Sequence, residues 1–554
     1  MENTIKVTWN DLSTREYPVG TRLFEIAADF QKQMEHPIIG AKIDNEVVEL
    51  TMPLRKDETI TFFDCLDLSG YKMYQAGLKI VMVQSLRELF GASTKVVFEH
   101  SIDKGIMCTI NNGKPIGATE AEAIKKRMQE LIAADLPIKK LNISKKEAIE
   151  FYENIGESEK AINIRNISNS LVVLYKLKET IGYYYVEMPI STKVLEQFDI
   201  EFLEENQIVL MFPSPSTNYV LPKYTNNQLI VDVFKQDKAW VEKIGVKYVA
   251  DFNEYVANYN VANFVRMNEL VFNNKVNNIA NNIIKDAARL RLVLIAGPSS
   301  SGKTTSTKLL AEFLRAAGFK TLMVSVDDYF KERTETPVDT HGNYDFESLA
   351  AIDIPLFNKQ LKALVNNESV KMPRYDFLLG KKVYDKKEVT LDNQTIILIE
   401  GLHCLNDELT SDIAREVKYK IYLSPFTPLS VDRHNHVSTV DLRLIRRIVR
   451  DNRTRGYDVS NTIKNWQAVR AGEEKYIFPY MGEADAVLNT ALVYELGVLK
   501  VYAEPLLYSV SVTSPYYEEA RRLLSFLKSF FPIPSEFVID SSILREFTGK
   551  SIFE

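Results

Sequence analysis

The segment GPSSSGKTT, residues 297–305, has the residue types and spacing of a phosphate-binding loop. Its two glycines, Gly297 and Gly302, let the backbone wrap closely around an anion, so that N–H groups can cradle phosphate oxygens. Lys303 would reach the β- and γ-phosphates of a nucleotide, and the hydroxyl of Thr304 would bind Mg²⁺. The predicted nucleotide-binding residues are Gly297, Pro298, Ser299, Ser300, Ser301, Gly302, Lys303, Thr304 and Thr305.

Such a loop needs a strand before it and a helix after it, and the sequence supplies both. Residues 292–296 are a continuous apolar run, as expected of a parallel strand that is covered on both faces. Residues 305–317 have the pattern of a helix whose positive end faces the anion, and Gly318 would close it. A glycine-rich turn can match the motif by chance, but the two flanking elements favour a phosphate-binding loop.

Carboxylates follow two further apolar runs. Residues 321–326 end in Asp327 and Asp328, and residues 396–399 end in Glu400. Ligands of open α/β sheets bind at the carboxyl ends of the strands, which is where these side chains would lie. Glu400 suits a carboxylate linked to Mg²⁺, although Asp is more usual in that place. The alternative is that either residue only caps a helix.

Six arginines lie within thirteen residues of the segment DLRLIRRIVRDNRTRG. They are Arg443, Arg446, Arg447, Arg450, Arg453 and Arg455. At helical spacing Arg443, Arg447 and Arg450 share one face, so several guanidinium groups could close over transferring phosphates as a lid. The alternative is a solvated basic helix face. The preference for Arg over Lys favours the lid, because the planar guanidinium binds phosphate with two parallel hydrogen bonds.

From about residue 290 to residue 495 the chain resembles the uridine kinase and phosphoribulokinase branch of P-loop kinases. The segment VSVDDYF is similar to the family's strand that ends in the catalytic aspartate, which implies that Asp327 is the general base. ILIEGLH corresponds to the strand with the Mg²⁺-linked glutamate, Glu400. RRIVRD corresponds to the lid, and the resemblance places Arg447 and Arg450 in phosphate contact, with Arg447 also a substrate contact.

The same resemblance implies an acceptor site. NYDFES looks like the segment whose aspartate binds sugar hydroxyls, here Asp345, with Tyr344 beside the base. MPRYDF resembles the segment that supplies aromatic contacts to a nucleobase, here Tyr375 and Phe377. Pyrimidine nucleoside kinases then have a histidine that reads the base, whereas this chain has Gly380. Loose base selection is therefore expected.

The N-terminal half carries a different resemblance. Residues 4–63 alternate apolar and polar and look like the small β-grasp (TGS) domain that opens threonyl-tRNA synthetases. Residues 70–220 resemble the editing domain of that family, through HSIDKGIMCTI and YYYVEMP among other segments. The family's HxxxH pair falls on Ala76 and Ile80, and its later Cys and His fall on Pro189 and Lys193. No editing chemistry is therefore expected, and an isolated His100 is interpreted as structural.

The composition is that of an ordinary globular protein, with 45% hydrophobic and 26% charged residues in 554. A net charge of −6 gives no general attraction to nucleic acid. The three cysteines, Cys65, Cys108 and Cys404, form no CxxC pair, which fits a reducing compartment. No apolar stretch approaches the roughly 18 residues of a membrane span, and the N-terminus lacks the layout of a signal peptide. The sequence predicts a cytoplasmic enzyme without a membrane partner.

These observations predict an α/β fold: a P-loop kinase with a parallel sheet, preceded by a β-grasp domain and an α+β editing-like domain. The predicted bounds are 1–66 (β-grasp), 67–222 (editing-like), 223–288 (helical connector), 289–510 (kinase) and 511–554 (C-terminal extension, with no chemistry assigned). The predicted reaction transfers the γ-phosphate of ATP or GTP, with Mg²⁺, to the 5′-hydroxyl of a ribonucleoside.

Two alternatives to this reaction stay open, a kinase for another small sugar alcohol and a nucleotide-switched RNA-binding or regulatory protein. RNA binding by the N-terminal half and formation of a homo-oligomer are also left open.

Overall fold

The computed structural model describes residues 4–9, 13–102, 104–258, 260–338, 344–377, 379–384 and 387–553. Of the helices that lie in these ranges, none is long and apolar enough to cross a membrane.

The first unit is a small five-stranded sheet covered by one helix, which confirms the β-grasp prediction. Its elements are β1 (Thr4–Trp9), β2 (Ser13–Pro18), α1 (Leu23–Phe30), β3 (Gly40–Ile43), β4 (Glu46–Val48) and β5 (Glu58–Phe63). The strand order is β2-β1-β5-β3-β4, with β1 and β5 parallel at the centre. Leu23, Ile26, Ala27 and Phe30 are spaced along one face of α1, so they pack together onto the sheet.

The second unit has two antiparallel sheets and a long buried helix. Its elements are α2 (Leu68–Phe90), β6 (Lys95–Ile102), β7 (Gly105–Asn111), α3 (Ala118–Ala133), β8 (Lys139–Ser144), α4 (Lys145–Asn154), α5 (Ser158–Asn166), β9 (Leu171–Leu177), β10 (Thr180–Gly182), β11 (Asp199–Glu204) and β12 (Gln207–Met211). The sheets run β11-β12-β7-β6 and β10-β9-β8. This mixture of helices and antiparallel strands is the predicted α+β class.

Three helices lead into the kinase region, as the helical apolar spacing predicts. They are α6 (Gln228–Lys243), α7 (Val249–Asn258) and α8 (Val261–Lys285). Val276 and Ile279 of α8 belong to the same hydrophobic core as Val293 and Leu310 of the kinase region. The connector helix therefore covers one face of the kinase sheet.

The kinase region is built on a parallel sheet with the strand order β14-β17-β13-β18-β21. Its elements are β13 (Leu292–Ala296), α9 (Lys303–Ala316), β14 (Lys320–Ser325), α10 (Ile354–Val365), β15 (Pro373–Asp376), β16 (Lys381–Tyr384), β17 (Thr395–Glu400), β18 (Lys418–Ser424), β19 (Ser430–Asp432), β20 (Asn435–His436), α11 (Thr439–Arg455), α12 (Val459–Tyr476), β21 (Ala486–Asn489) and α13 (Glu495–Tyr508). Every residue of the central strand β13 is buried, because helices cover both faces of a parallel sheet.

The C-terminal extension contributes α14 (Tyr517–Leu527) and the short helix α15 (Arg545–Thr548). Helix α14 packs against α13, and α15 packs against α11, which carries the arginines. The extension therefore returns to the carboxyl edge of the kinase sheet, where the predicted site residues lie.

Candidate active site

The phosphate loop joins β13 to α9 as the sequence predicts, although the helix begins at Lys303 rather than Thr305. Gly302 is the residue that precedes this helix, and its backbone has a left-handed conformation with φ +83°. A Cβ on Gly302 would lie 2.3 Å from the Ile543 side chain. A Cβ on Gly297 would lie 2.4 Å from the carbonyl oxygen of Leu423. Both positions therefore require glycine, for backbone conformation at one and close packing at both.

Lys303 folds back over the loop. Its Nζ donates hydrogen bonds to the carbonyl oxygens of Gly297 at 2.8 Å and Pro298 at 3.2 Å. Desolvation lowers the pKa of Lys303, while the carboxylates of Glu400 and Asp327 oppose that shift. The lysine therefore lies near both the predicted metal ligand Glu400 and the predicted base Asp327.

Thr304 and Glu400 lie side by side, as a shared metal site requires. The Thr304 hydroxyl donates to Glu400 Oε1 at 3.3 Å. Glu400 Oε2 is buried and accepts no hydrogen bond from any residue in the described part of the chain. Desolvation raises the pKa of Glu400 to about 6. A buried carboxylate oxygen that lacks a partner fits a hard cation such as Mg²⁺.

Mg²⁺ usually binds through one or two protein oxygens together with substrate phosphates and water. Among the residues that the structure describes, no group of three or more His, Cys, Asp and Glu side chains is arranged to hold a metal ion. Thr304 and Glu400 are therefore the residues that would hold Mg²⁺, and its charge would help to neutralise the phosphates.

Asp327 follows β14 on a short 3₁₀ turn, Val326–Tyr329, and not at the end of the strand itself. Its side chain is open to solvent in a cleft. The protein around that cleft desolvates the carboxyl group and raises its pKa, and Lys303 partly opposes this shift. Asp328 has another role, because its Oδ1 accepts the backbone N–H of Tyr375 at 3.2 Å. The structure therefore distinguishes the two adjacent aspartates.

The arginines of α11 divide into buried anchors that bind the loop backbone and groups that cluster around Asp451. Arg443 is only 1% exposed, pairs with Glu473 and donates Nε to the Ser299 carbonyl at 2.9 Å. Arg446 is also buried and donates to the Ser300 carbonyl at 3.2 Å. The prediction that Arg443 faces the phosphates together with Arg447 and Arg450 is therefore wrong, because its guanidinium is buried against Glu473 and the Ser299 carbonyl.

Arg447 contacts a side chain of the phosphate loop. Its Nη1 donates to the Ser299 hydroxyl at 2.7 Å, and its Nε lies 3.2 Å from Asp451. Arg450 and Arg455 also pair with Asp451, at 2.9 and 3.6 Å. The buried Asp451 carboxylate thus gathers three arginines beside the loop. The assignment of Arg447 and Arg450 to phosphate contact stays a prediction.

Glu473 of α12 was not predicted as a site residue. Its Oε1 accepts the backbone N–H of Ser299 at 2.9 Å, and its Oε2 pairs with Arg470 at 3.1 Å.

Glu347, also unpredicted, lies near Asp327 and Lys303, and burial raises its pKa. Glu347 could have been suspected, because it is two residues beyond Asp345 in the NYDFES segment. For Glu473 the sequence offers no comparable signal.

The aromatic residues of the predicted acceptor site lie around Phe330 and Phe346. Asp345 accepts the Glu347 N–H at 3.1 Å and the Tyr476 hydroxyl at 3.4 Å. Tyr344 and Phe377 are 49% and 56% exposed, so their rings are open to a ligand. Tyr375 is only 4% exposed, with its ring 5.0 Å from that of Phe377. Tyr375 therefore supports Phe377, and does not present an open face.

Gly380 lies in a tight turn beneath Arg333. Its φ is +67°, and a Cβ there would lie 3.0 Å from the Arg333 side chain. Arg333 is exposed and donates Nη2 to the Phe377 carbonyl at 2.6 Å. Arg333 therefore lies beside Gly380, the position at which pyrimidine nucleoside kinases have a histidine that recognises the base. The spacing of residues in the sequence did not predict that Arg333 would lie there.

Three of the four positions that would carry editing chemistry are apolar, and the fourth is a lysine. Ala76 and Ile80 are buried in α2. Pro189 and Lys193 line a cavity of about 610 Å³ between α1 and the segment 189–196. His100 stacks on Phe234 with ring centroids 3.2 Å apart, in keeping with a structural interpretation.

The N-terminal half also contacts the segment that directly precedes the arginine helix. The Phe98 N–H donates to the Arg433 carbonyl at 2.8 Å, and the Arg433 side chain pairs with Glu159 at 2.6 Å. Lys160 Nζ lies 2.7 Å from His434 Nδ1. Since α11 begins only a few residues later, the N-terminal half braces the start of that helix.

Comparisons with known proteins relate the two halves of the chain to different proteins. Residues 292–495 match the model of the "Phosphoribulokinase / Uridine kinase family". A uridine kinase of Bacillus pumilus is 29% identical over 195 residues, which are 35% of this chain and 83% of that protein. The structure of a "possible uridine kinase" from Bacillus stearothermophilus covers 39% of this chain and 98% of its own, with 21% identity and a TM-score of 0.27.

The N-terminal half has relatives of a different kind. A threonine–tRNA ligase of Desulforamulus reducens is 27% identical over 169 residues, which are 30% of this chain. The chain spans only 26% of the length of that ligase. Both resemblances predicted from the motifs are therefore confirmed: a P-loop kinase region similar to the phosphoribulokinase and uridine kinase family follows a region similar to part of the threonine–tRNA ligases.

Proposed function

We propose that the protein transfers the γ-phosphate of ATP or GTP to the 5′-hydroxyl of a ribonucleoside. The observation that carries this proposal is the arrangement around the phosphate loop. Lys303 folds over the loop, Glu400 accepts from Thr304 with one oxygen still unpartnered, and the carboxylate of Asp327 lies in an adjoining open cleft. A phosphate donor, a metal and a base for the acceptor would thus meet at one edge of the sheet.

Each residue has a role that its surroundings support. Asp327 would accept the proton of the attacking hydroxyl, and its raised pKa makes it a better proton acceptor than an ordinary aspartate. Lys303 and Arg447 would stabilise the charge on the transferring phosphoryl group. Asp345 would accept hydrogen bonds from the ribose 2′- and 3′-hydroxyls, while Tyr344 and Phe377 would contact the base.

A small sugar alcohol that carries a phosphate or another acidic group is a second candidate acceptor. The exposed guanidinium of Arg333 lies beside Gly380 and Phe377, and such a group suits an anionic acceptor. The ribonucleoside is preferred because the rings of Tyr344 and Phe377 are open to a ligand, and aromatic rings suit a base more than a sugar phosphate.

The test is a measurement of kcat/KM with purified full-length protein across ribonucleosides, their 2′-deoxy forms and small sugar alcohols, with ATP and with GTP. We expect ribonucleosides to be the best acceptors, with little discrimination between bases. A strong preference for a deoxy form would contradict the Asp345 assignment, and turnover with a sugar alcohol alone would favour the second candidate. ATP hydrolysis without transfer to any acceptor would favour a nucleotide-switched regulatory protein.

A further inference from the structure

The C-terminal extension reaches into the phosphate loop, although it lies about 240 residues further along the chain. Glu546 Oε2 accepts the Thr305 hydroxyl at 2.9 Å and the Thr305 backbone N–H at 3.3 Å. Thr305 is in the first turn of α9, where backbone N–H groups face the loop. One of the anion-binding donors of the nucleotide site is therefore already bound to a carboxylate of the chain itself.

The segment that carries Glu546 is held firmly at this position. The side chain of Ile543 packs so closely on Gly302 that a Cβ on Gly302 would collide with it. Arg453 of α11 donates to the backbone carbonyls of Glu546 at 3.2 Å and Phe547 at 3.3 Å. The guanidinium of Arg446 lies 5.0 Å from the centre of the Phe547 ring. These contacts join the extension to both the phosphate loop and the arginine helix.

A nucleotide phosphate and the Glu546 carboxylate would compete for the same donors. A phosphate-binding loop uses the backbone N–H groups at the start of its helix, and these cannot serve two anions at once. The negative charges of the Glu546 carboxylate and of a phosphate bound to the same donors would also repel each other. Because Glu546 is only partly buried, its side chain can turn away while the buried Ile543 and Phe547 stay in place.

We propose that Glu546 is an autoinhibitory group that occupies part of the phosphate-binding site and must leave Thr305 before a donor nucleotide binds fully. This inference rests only on the nucleotide-binding part of the proposed function, and it does not depend on which acceptor is used. The carboxylate thus lowers the affinity of the resting protein for its donor and leaves the rate at saturating donor unchanged.

The test is the affinity of full-length protein for β,γ-imido-ATP and for inorganic pyrophosphate, each with Mg²⁺, measured by calorimetry without acceptor. A charge-assisted hydrogen bond is roughly twice as strong as a neutral one. We therefore expect Glu546→Gln to bind both probes about threefold to tenfold more tightly than the unaltered chain, with kcat at saturating ATP unchanged within about twofold.

Two further variants keep the result interpretable. Glu546→Asp retains the charge on a shorter side chain and should also tighten binding, because the carboxylate no longer reaches Thr305. Glu536→Gln removes an exposed carboxylate of the same extension and should change nothing. Thermal unfolding of each variant confirms that the protein is folded.

Several outcomes overturn the proposal. Unchanged affinity in both Glu546 variants would show that the contact only caps α9, and weaker binding or a lower kcat would make Glu546 part of the donor site. If no form of the protein binds either probe, nucleotide binding fails together with this inference. If the unaltered protein binds but the Glu546 variants do not differ from it, only this inference fails.

Discussion

Replacing Asp327 by Asn removes the proposed proton acceptor and changes the side chain by a single atom. Loss of a general base typically costs about 10²- to 10⁴-fold in rate, which is about 3 to 5.5 kcal/mol of activation free energy. The Asp327 carboxylate is open to solvent, so water can take over part of its role. We therefore expect the loss to lie in the lower half of that range, about 10²- to 10³-fold in kcat.

The dependence of the rate on pH gives a second measurement of the same group. Desolvation raises the pKa of Asp327, and the base must be deprotonated to act. The rate of the unaltered protein should therefore fall as the pH decreases through a pKa above that of a free aspartate. Asp327→Asn should lose this acidic limb of the kcat profile, because no carboxyl group then titrates at that position.

The assay is steady-state phosphate transfer from pH 4.5 to 8, with the best acceptor and saturating ATP and Mg²⁺. Asp328→Asn is the matched control, because its amide oxygen can still accept the Tyr375 N–H. Nucleotide affinity should be unchanged in both variants. If Asp328→Asn is the impaired variant and Asp327→Asn is not, the assignment of the base is refuted.

Three other substitutions test the rest of the site. Lys303→Ala should abolish transfer in a folded protein, because the γ-phosphoryl group loses its fixed cation; undiminished turnover would remove the loop from the mechanism. Glu400→Gln should raise the Mg²⁺ concentration needed for half-maximal rate. The pKa of Glu400 is raised from 4.5 to about 6, so its ionised form destabilises the fold as the pH rises through that range. In urea unfolding, the free energy of unfolding of Glu400→Gln should therefore exceed that of the unaltered chain by up to about 2 kcal/mol at pH 7.5, but not at pH 4. The same difference between the two proteins at both pH values would contradict this. Asp345→Asn should lower kcat/KM for ribonucleosides much more than for 2′-deoxyribonucleosides, and an equal loss for both would place Asp345 away from the sugar.

The candidate site could be located from the sequence because its main parts are local. A buried strand, a glycine-rich loop and a helix are consecutive in the chain, and their backbone geometry follows from residue type and spacing. Asp327 and Glu400 could be placed in the same site because parallel strands bring their carboxyl ends to one edge of the sheet. The β-grasp and α+β units were predicted from the resemblance of residues 4–63 and 70–220 to domains of threonyl-tRNA synthetases.

Long-range side-chain contacts could not be predicted in this way. Helical spacing puts Arg443 and Arg447 on one face, but only the packing of α11 against the loop makes Arg443 a buried anchor. Glu473 and Glu546 lie far from the loop in sequence and bind its N–H groups through tertiary folding. Spacing and residue type are local properties, whereas burial and pairing depend on which distant segments share a surface.

The sequence by itself thus determined the phosphate-binding loop, the carboxylates at the strand ends and the division of the chain into kinase and synthetase-like parts. The tertiary structure alone decided that the N-terminal half braces the start of the arginine helix through Arg433 and Glu159, and that the C-terminal extension places Glu546 on Thr305. The physical reason is the same in both cases: each contact joins residues more than 200 positions apart, so it exists only once the chain has folded.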